Sequence, residues 1–356
     1  YTLYDWWPPV GGVMGPNTFW NIDYGTRNRA GVFGEWEAQW SEQWLSQIGV
    51  RGEVVKTDAG PVQGYNAQPI WSVDAAAFNA AYRPRTDHNV DFTALTRYTP
   101  DASQQYEAGF ARKSRSPNLY QRYVWSTQPM AMLMNNFVGD GNGYVGNLDL
   151  KPEVAYTVSA SGDWHDTEQK DWRFKATGYY TYVQDYIDAQ RCNFGQCGGT
   201  ANLTATTGFV NLQYVNQSAR LYGVDLSGSL QLGQSADYGS FKGSGLLSYV
   251  RGKNPTTGGN LYNIMPLNAK VAVTQSLGGW SNTAEVQLVG AKLDVSQVRN
   301  EVPTTGYGLL NLRSSYEWKQ FRLDFGIENV LNRFYTLPLG GAYLGQGASM
   351  TSKGIP

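Results

Sequence analysis

Over much of its length the chain alternates oily and polar residues. Near one end, Phe321, Leu323, Phe325 and Ile327 point one way while Arg322, Asp324 and Glu328 point the other. Just before them, Leu310, Leu312, Tyr316 and Trp318 share a face opposite Asn311, Arg313, Ser315 and Glu317. A period of two places these sets on opposite faces of β-strands. Only a few residues around Lys319 join the two runs, so they form a hairpin. Earlier, Trp172, Phe174, Ala176 and Tyr180 alternate with Arg173, Lys175, Thr177 and Thr181. In the same way Tyr222, Val224, Leu226, Leu230 and Leu232 oppose Asp225, Ser227, Ser229 and Gln231. One face suits an oily surrounding and the other suits water.

Extended along the chain, the pattern predicts about twelve strands, near 27–41, 43–57, 89–99, 103–114, 152–166, 171–190, 209–233, 239–252, 266–278, 280–293, 305–318 and 320–329. Residues 1–26, rich in Trp, Pro and Gly, read as a loop. The connections alternate. Those at 41–43, 99–103, 166–171, 233–239, 278–280 and 318–320 are short, and Thr99-Pro100-Asp101-Ala102 has turn chemistry. Those at 58–88, 115–151, 191–208, 253–265, 294–304 and 330–356 are long. A soluble sandwich has no reason to gather every long loop at one end. Membrane barrels do, with tight periplasmic turns and extended extracellular loops. The fold class is therefore all-β: an antiparallel transmembrane β-barrel sector of about twelve strands. Trp36, Trp40 and Trp44 sit near a short turn, as an interfacial girdle would.

Composition agrees. Of 356 residues, 14% are aromatic and only 16% charged, against roughly 25% charged in ordinary globular chains. Mean hydropathy is −0.43, and no run of ~18 apolar residues exists to form a spanning helix. Strands escape that test because alternation averages their hydropathy out. A net charge of −1 gives no reason to expect nucleic acid as a partner.

Several segments carry a family resemblance. Phe325-Gly326-Ile327-Glu328-Asn329-Val330-Leu331-Asn332-Arg333-Phe334-Tyr335 resembles the C-terminal barrel signature of TonB-dependent outer-membrane receptors. Ala111 to Tyr120 resembles the Arg- and Pro-containing segment that opens a large extracellular loop in those proteins. Asn147-Leu148-Asp149-Leu150-Lys151-Pro152-Glu153 is similar to the motif that ends that loop, and Asn216 to Asp225 to a further family segment. Together they cover about residues 89–345, in the family's order. The resemblance implies a barrel of more strands around an N-terminal plug that couples to the TonB protein. Residues 1–356 then represent part of the barrel, with the plug, early strands and final strand expected outside it.

These motifs read physically as scaffold. Pro117 and Pro152 flank strand ends, and Arg112 and Arg115 are expected to pair with carboxylates lining the lumen. Cys192 and Cys197, the only cysteines, stand five apart among Gly and Asn. They read as a disulfide-closed loop in an oxidising compartment, with half a metal site or a redox pair as the alternative.

The candidate chemistry is the run Gln128-Pro129-Met130-Ala131-Met132-Leu133-Met134. In an extended segment Met130, Met132 and Met134 share one side, and thioethers suit Cu(I). Packing under the loop is the bland reading. With Phe137 to Gly146, the run resembles the copper-linked subgroup of the family. His88 and His165 are isolated and read as surface residues. Asp140-Gly141-Asn142-Gly143 fails the calcium-loop pattern at Tyr144, Val145 and Lys151, and reads as a turn. No catalytic constellation is visible, so no enzyme and no resident cofactor are expected.

The expectation is active uptake of a scarce substrate across the outer membrane, energised by TonB through the plug, with copper as cargo. The alternative cargo is a ferric siderophore, held by loop aromatics such as Trp6, Trp7, Trp20, Tyr123 and Trp125. A passive porin is the alternative of another class.

Overall fold

The protein is described here from a computed structural model that covers residues 1–7, 18–64, 69–193, 196–197 and 200–340. All twelve predicted strands are present. They are β2 (Phe19–Gln39), β3 (Trp44–Asp58), β4 (Arg85–Asp101), β5 (Gln104–Arg115), β7 (Glu153–His165), β8 (Trp172–Arg191), β9 (Asn211–Ser235), β10 (Gly239–Lys253), β11 (Asn268–Leu277), β12 (Trp280–Val289), β13 (Tyr307–Trp318) and β14 (Phe321–Ile327). Two strands were not anticipated. β1 (Thr2–Trp7) pairs with the start of β2, inside the region read as a loop, and β6 (Gly143–Val145) lies parallel to β9. The regions read as irregular loops also hold short helices: α1 (Pro69–Ala80), α2 (Leu119–Tyr123), α3 (Pro129–Met134) and α4 (Thr200–Thr204).

The sheet runs β1-β2-β3-β4-β5-β7-β8-β9-β10-β11-β12-β13-β14, every neighbour on this path antiparallel, with β1 and β14 as open edges. Each short turn is a hairpin. Leu277 and Trp280 face each other across Gly278 and Gly279, both at positive φ (56° and 89°). That is the backbone a two-residue hairpin needs and side chains resist.

Register fixes the faces. Tyr106, Gly162, Ala176 and Leu226 are successive partners across β5, β7, β8 and β9, so they share one side. The other side carries Glu107, Ser161, Thr177 and Asp225 at the next positions. The oily side is the lipid face. At its periplasmic rim, rings pair between strands: Trp44 with Tyr98 at 4.4 Å, Trp164 with Phe174 at 5.8 Å, Trp280 with Tyr316 at 4.8 Å. This is an aromatic girdle at the membrane interface. No helix among the described residues is long and apolar enough to cross a membrane.

The wall itself buries little. Most large apolar residues on its lipid side stay exposed, and every residue of β14 does. The buried clusters sit at the opposite, long-loop end. One gathers Phe19, Ile22, Trp71, Phe78, Leu119 and Tyr123; another gathers Tyr144, Leu150, Ile187, Leu212 and Tyr214.

Candidate functional site: the extracellular loop shell

The loops are held by capped helices and buried ions. Asn118 caps α2 by accepting from the Gln121 amide at 2.8 Å, and Gln121 Oε1 accepts in return from the Asn118 amide at 3.0 Å. This reciprocal box satisfies donors that a five-residue helix would otherwise leave bare. It aims Arg122 inward. There the guanidinium donates to Asp87 at 2.7 Å, Thr57 Oγ1 at 2.9 Å and the Leu150 carbonyl at 2.9 Å, fully buried. The Tyr123 hydroxyl lies 2.9 Å from the same Thr57 oxygen. The loop over β5 and β7 is thereby fastened to β3 and β4.

A second buried cation closes the far side. Arg299, in the loop between β12 and β13, donates to Asp188 at 2.8 Å, to Asp140 at 3.3 Å and to the Tyr144 hydroxyl. Its guanidinium lies 5.5 Å from the Tyr144 ring and 5.1 Å from the Tyr262 ring. Burial alone would lower its affinity for a proton. The surrounding Tyr144, Asp188 and Asp140 outweigh that and hold it well above the ordinary arginine range. Burial likewise pushes the Tyr144 hydroxyl well above its usual range. Asn142 completes the knot, donating to the Arg299 carbonyl at 2.9 Å and accepting from the Val210 amide at 3.0 Å. The Asp140–Gly143 turn thus acts as a hub, with Gly139 and Gly141 both at φ +83°.

Arg191 ties the same region again. It donates to the carbonyls of Ala205 at 2.5 Å, Gln297 at 2.9 Å and Val298 at 3.0 Å, and to Asn300 Oδ1 at 2.7 Å. Beside it lies a cavity of about 800 Å³ lined by Leu203, Thr207, Val298, Val302 and Pro303. Each of these polar groups is engaged in holding loops. None is arranged as a nucleophile, an acid–base pair or an oxyanion site.

The methionine run takes a different form from the one its sequence suggested. Pro129 opens a helix, and the Gln128 side chain caps it by accepting from the amides of Met130 at 2.7 Å and Ala131 at 3.2 Å. Methionine is also a good helix former. In a helix, positions four apart share a side. So Met130 and Met134 fall together, 46% and 48% exposed, while Met132 is wholly buried. Met132 packs with Val145 and the Cys192–Cys197 pair, which is disulfide-bonded with Cα atoms 5.5 Å apart. Among the described residues, no group of three or more His, Cys, Asp or Glu stands ready for a metal.

Other expectations need correcting. Arg115 does reach a lumenal carboxylate, Glu153 at 2.6 Å. Arg112 does not: it stands an odd number of residues away on the same strand and so faces lipid. Tyr123 and Trp125, offered as siderophore contacts, are buried core, and Trp6 and Trp20 stack on each other at 5.2 Å. His88 is exposed as expected, but His165 is buried, its Nδ1 2.9 Å from the Asp166 carbonyl oxygen. Pro117 and Pro152 follow β5 and precede β7 as anticipated. Residues 341–356 of the last loop lie outside the described residues.

A strand wall with one lipid face, one ion-paired face and a loop shell at one end is the architecture of an outer-membrane β-barrel sector. Residues 1–330 match the family described as TonB dependent receptor-like, beta-barrel, and the chain belongs to that family. Barrels of this family are bacterial outer-membrane proteins, and its members are receptors and transporters, not enzymes. The chain is 28% identical to a heme/hemopexin utilization protein C of Haemophilus influenzae over 258 residues, covering 66% of this chain and 33% of that protein. Among solved structures it resembles the copper transporter OprC, with TM-score 0.73, 21% identity, 99% of this chain and 49% of that one covered. It also resembles the siderophore receptor PiuA from Acinetobacter baumannii, with TM-score 0.63, 14% identity, 93% and 42% covered. The structural likenesses establish the fold. The chain spans about a third of the length of the curated relatives and about half that of the copper transporter.

Proposed function

We propose that this chain forms a substrate-gathering wall and loop shell of a TonB-dependent uptake receptor, and that its cargo is copper. The observation that carries the cargo is the pair Met130 and Met134, two exposed thioethers on one side of a helix that is otherwise locked in place. Thioethers are soft donors that select Cu(I) and do not suit ferric iron. Two of them leave coordination positions for donors elsewhere in the receptor. Energy coupling would come from TonB acting on a plug within the whole receptor, a role inferred from the family. A passive pore gains no support from the membership.

A second reading, uptake of an iron chelate or haem, rests on the 28% identity to heme/hemopexin utilization proteins and the fold shared with siderophore receptors. Elemental analysis of the full-length receptor purified from outer membranes separates the two. Copper on the wild type, reduced about tenfold in M130L/M134L and kept in M132L, supports the copper reading. Copper held equally by M130L/M134L moves the site off this helix. A ferric chelate or haem in place of copper overturns the copper reading and leaves the exposed pair as loop surface.

A further inference from the structure

The lipid face carries a row of residues that uptake does not explain. Arg112 on β5 is the register partner of Tyr156 on β7, Tyr156 of Tyr182 on β8, and Tyr182 of Arg220 on β9. All four therefore stand on one side of four adjacent strands. At ~4.8 Å per strand step, the two arginines are about 14 Å apart along the row. Below the row, toward the periplasmic girdle, that face is apolar. It presents Tyr106, Ala108 and Phe110 on β5, Val158, Ala160 and Gly162 on β7, Ala176, Gly178 and Tyr180 on β8, and Tyr222, Val224, Leu226 and Gly228 on β9.

The row is thus the first charge met on leaving the hydrocarbon layer toward the cell exterior. From Tyr182 down to Trp172 is ten residues of strand, which at ~3.3 Å per residue and a tilt of about 40° matches an apolar band about 25 Å tall. Neither arginine is in an ion pair among the described residues, whereas Arg115, Arg173 and Arg97 on the lumenal side are each matched to a carboxylate. Arg112 lies 5.8 Å from the centre of the Tyr156 ring and donates to the Val90 carbonyl and Ser114 Oγ, which fixes its direction. Arg220 is exposed. No Asp or Glu occupies the outward positions of these strands from the girdle to the row.

We infer that Arg112, Tyr156, Tyr182 and Arg220 form a binding site for a phosphorylated glycolipid headgroup of the outer leaflet. Two guanidiniums at the depth of the headgroups, unmatched by protein acids, complement two phosphates carried on one sugar backbone. Guanidinium and phosphate pair through two parallel hydrogen bonds. The two tyrosines between them offer hydroxyls and ring faces to the sugars, as amphipathic rings do at a membrane interface.

The test uses full-length receptor extracted from outer membranes in mild detergent. Native mass spectrometry reads the glycolipid retained, and mixed micelles carrying bisphosphorylated or dephosphorylated glycolipid read rebinding. A cation near an anionic lipid surface contributes about a fivefold step in binding, so R112A/R220A is expected to retain the lipid about thirtyfold less. R112K/R220K, which keeps the charge, should stay within about fivefold of wild type, and the dephosphorylated lipid should not rebind. Heat-modifiable mobility on gels reports that each variant is a folded barrel. Equal retention by folded R112A/R220A, or equal rebinding of the dephosphorylated lipid, overturns the assignment.

Discussion

The strand wall and the loop shell solve opposite problems with the same residue types. In the wall, apolar side chains are turned outward and their solvent is lipid, so they do not need one another. Order comes from continuous backbone hydrogen bonding and from alternation. In the shell, water surrounds the chain, and Phe19, Trp71, Leu119, Tyr123 and Leu212 must bury one another to hold shape. Full burial of each such side chain contributes about 1.5–3 kcal/mol. Arginine divides likewise. Those facing the lumen, such as Arg115 and Arg173, lie partly in water beside carboxylates, while Arg122 and Arg299 are sealed inside and depend wholly on their partners. The hydrophobic core of this protein therefore lies at its long-loop end, shared between the loops and the strand ends beneath them.

The largest break in that comparison is expected at Arg299. Replacing it with Met leaves Asp140 and Asp188 buried without their cation, a loss of about 3–5 kcal/mol. Hydrogen exchange should show the segments around residues 140–145 and 294–304 opening while strands β7 to β10 stay protected. Exchange unchanged in both segments would show that the shell does not hang on this ion.

In the wall, the sign depends on a single step in sequence. Leu226→Lys puts a charge among lipid tails at a cost of about 2–4 kcal/mol, falling toward the interfaces. Ser227→Lys, one residue on and facing the lumen, should be nearly neutral. Unfolding in lipid vesicles under denaturant measures both, and equal costs would reject the assignment of faces.

The smallest expected effect is at the turn between β7 and β8. Asp166 accepts from the Trp172 amide at 2.9 Å and from the amides of Asp171 at 3.0 Å and Lys170 at 3.1 Å. Those bonds, the Trp172 amide's foremost, hold its carboxyl down at about 2, below the ordinary 3.8. A lowered pKa means the folded turn binds its proton less readily than the unfolded chain does. The stabilisation is therefore complete above about pH 4 and is lost as pH falls toward 2. Amide exchange at residues 170–172 should quicken across that window in the wild type. In D166A it should already be fast at neutral pH and show no such step.

The strands were legible because a membrane wall needs nothing but alternation, and alternation is local. The shell was less so, for several physical reasons. α1 does carry a signal of its own: Trp71, Ala75 and Phe78 recur at helical spacing after Pro69, and all three are buried. β1 pairs strand to strand, but its Trp- and Tyr-rich sequence does not alternate in polarity. The methionines alternate at period two, as a strand would, whereas Pro129 and Gln128 spell a helix start. Counting three residues along β5 from the lumenal Arg115 puts Arg112 on the outer face, against the expected pairing with a lumenal carboxylate. Nothing in the sequence near Arg299 points to Asp140, its partner 159 residues away.

That separation bears on how the chain assembles. Strand hairpins close over short distances and can form one after another. The bond between Arg299 and Asp140 can form only after seven strands, β6 to β12, have been laid down between them. Long-range closure is slow because the chain's freedom must be surrendered before the contact repays it. The knot therefore closes late in folding, after the strands between its ends are in register. A wall with a skipped hairpin or a slipped register would carry Arg299 past its two aspartates and leave three charges stranded.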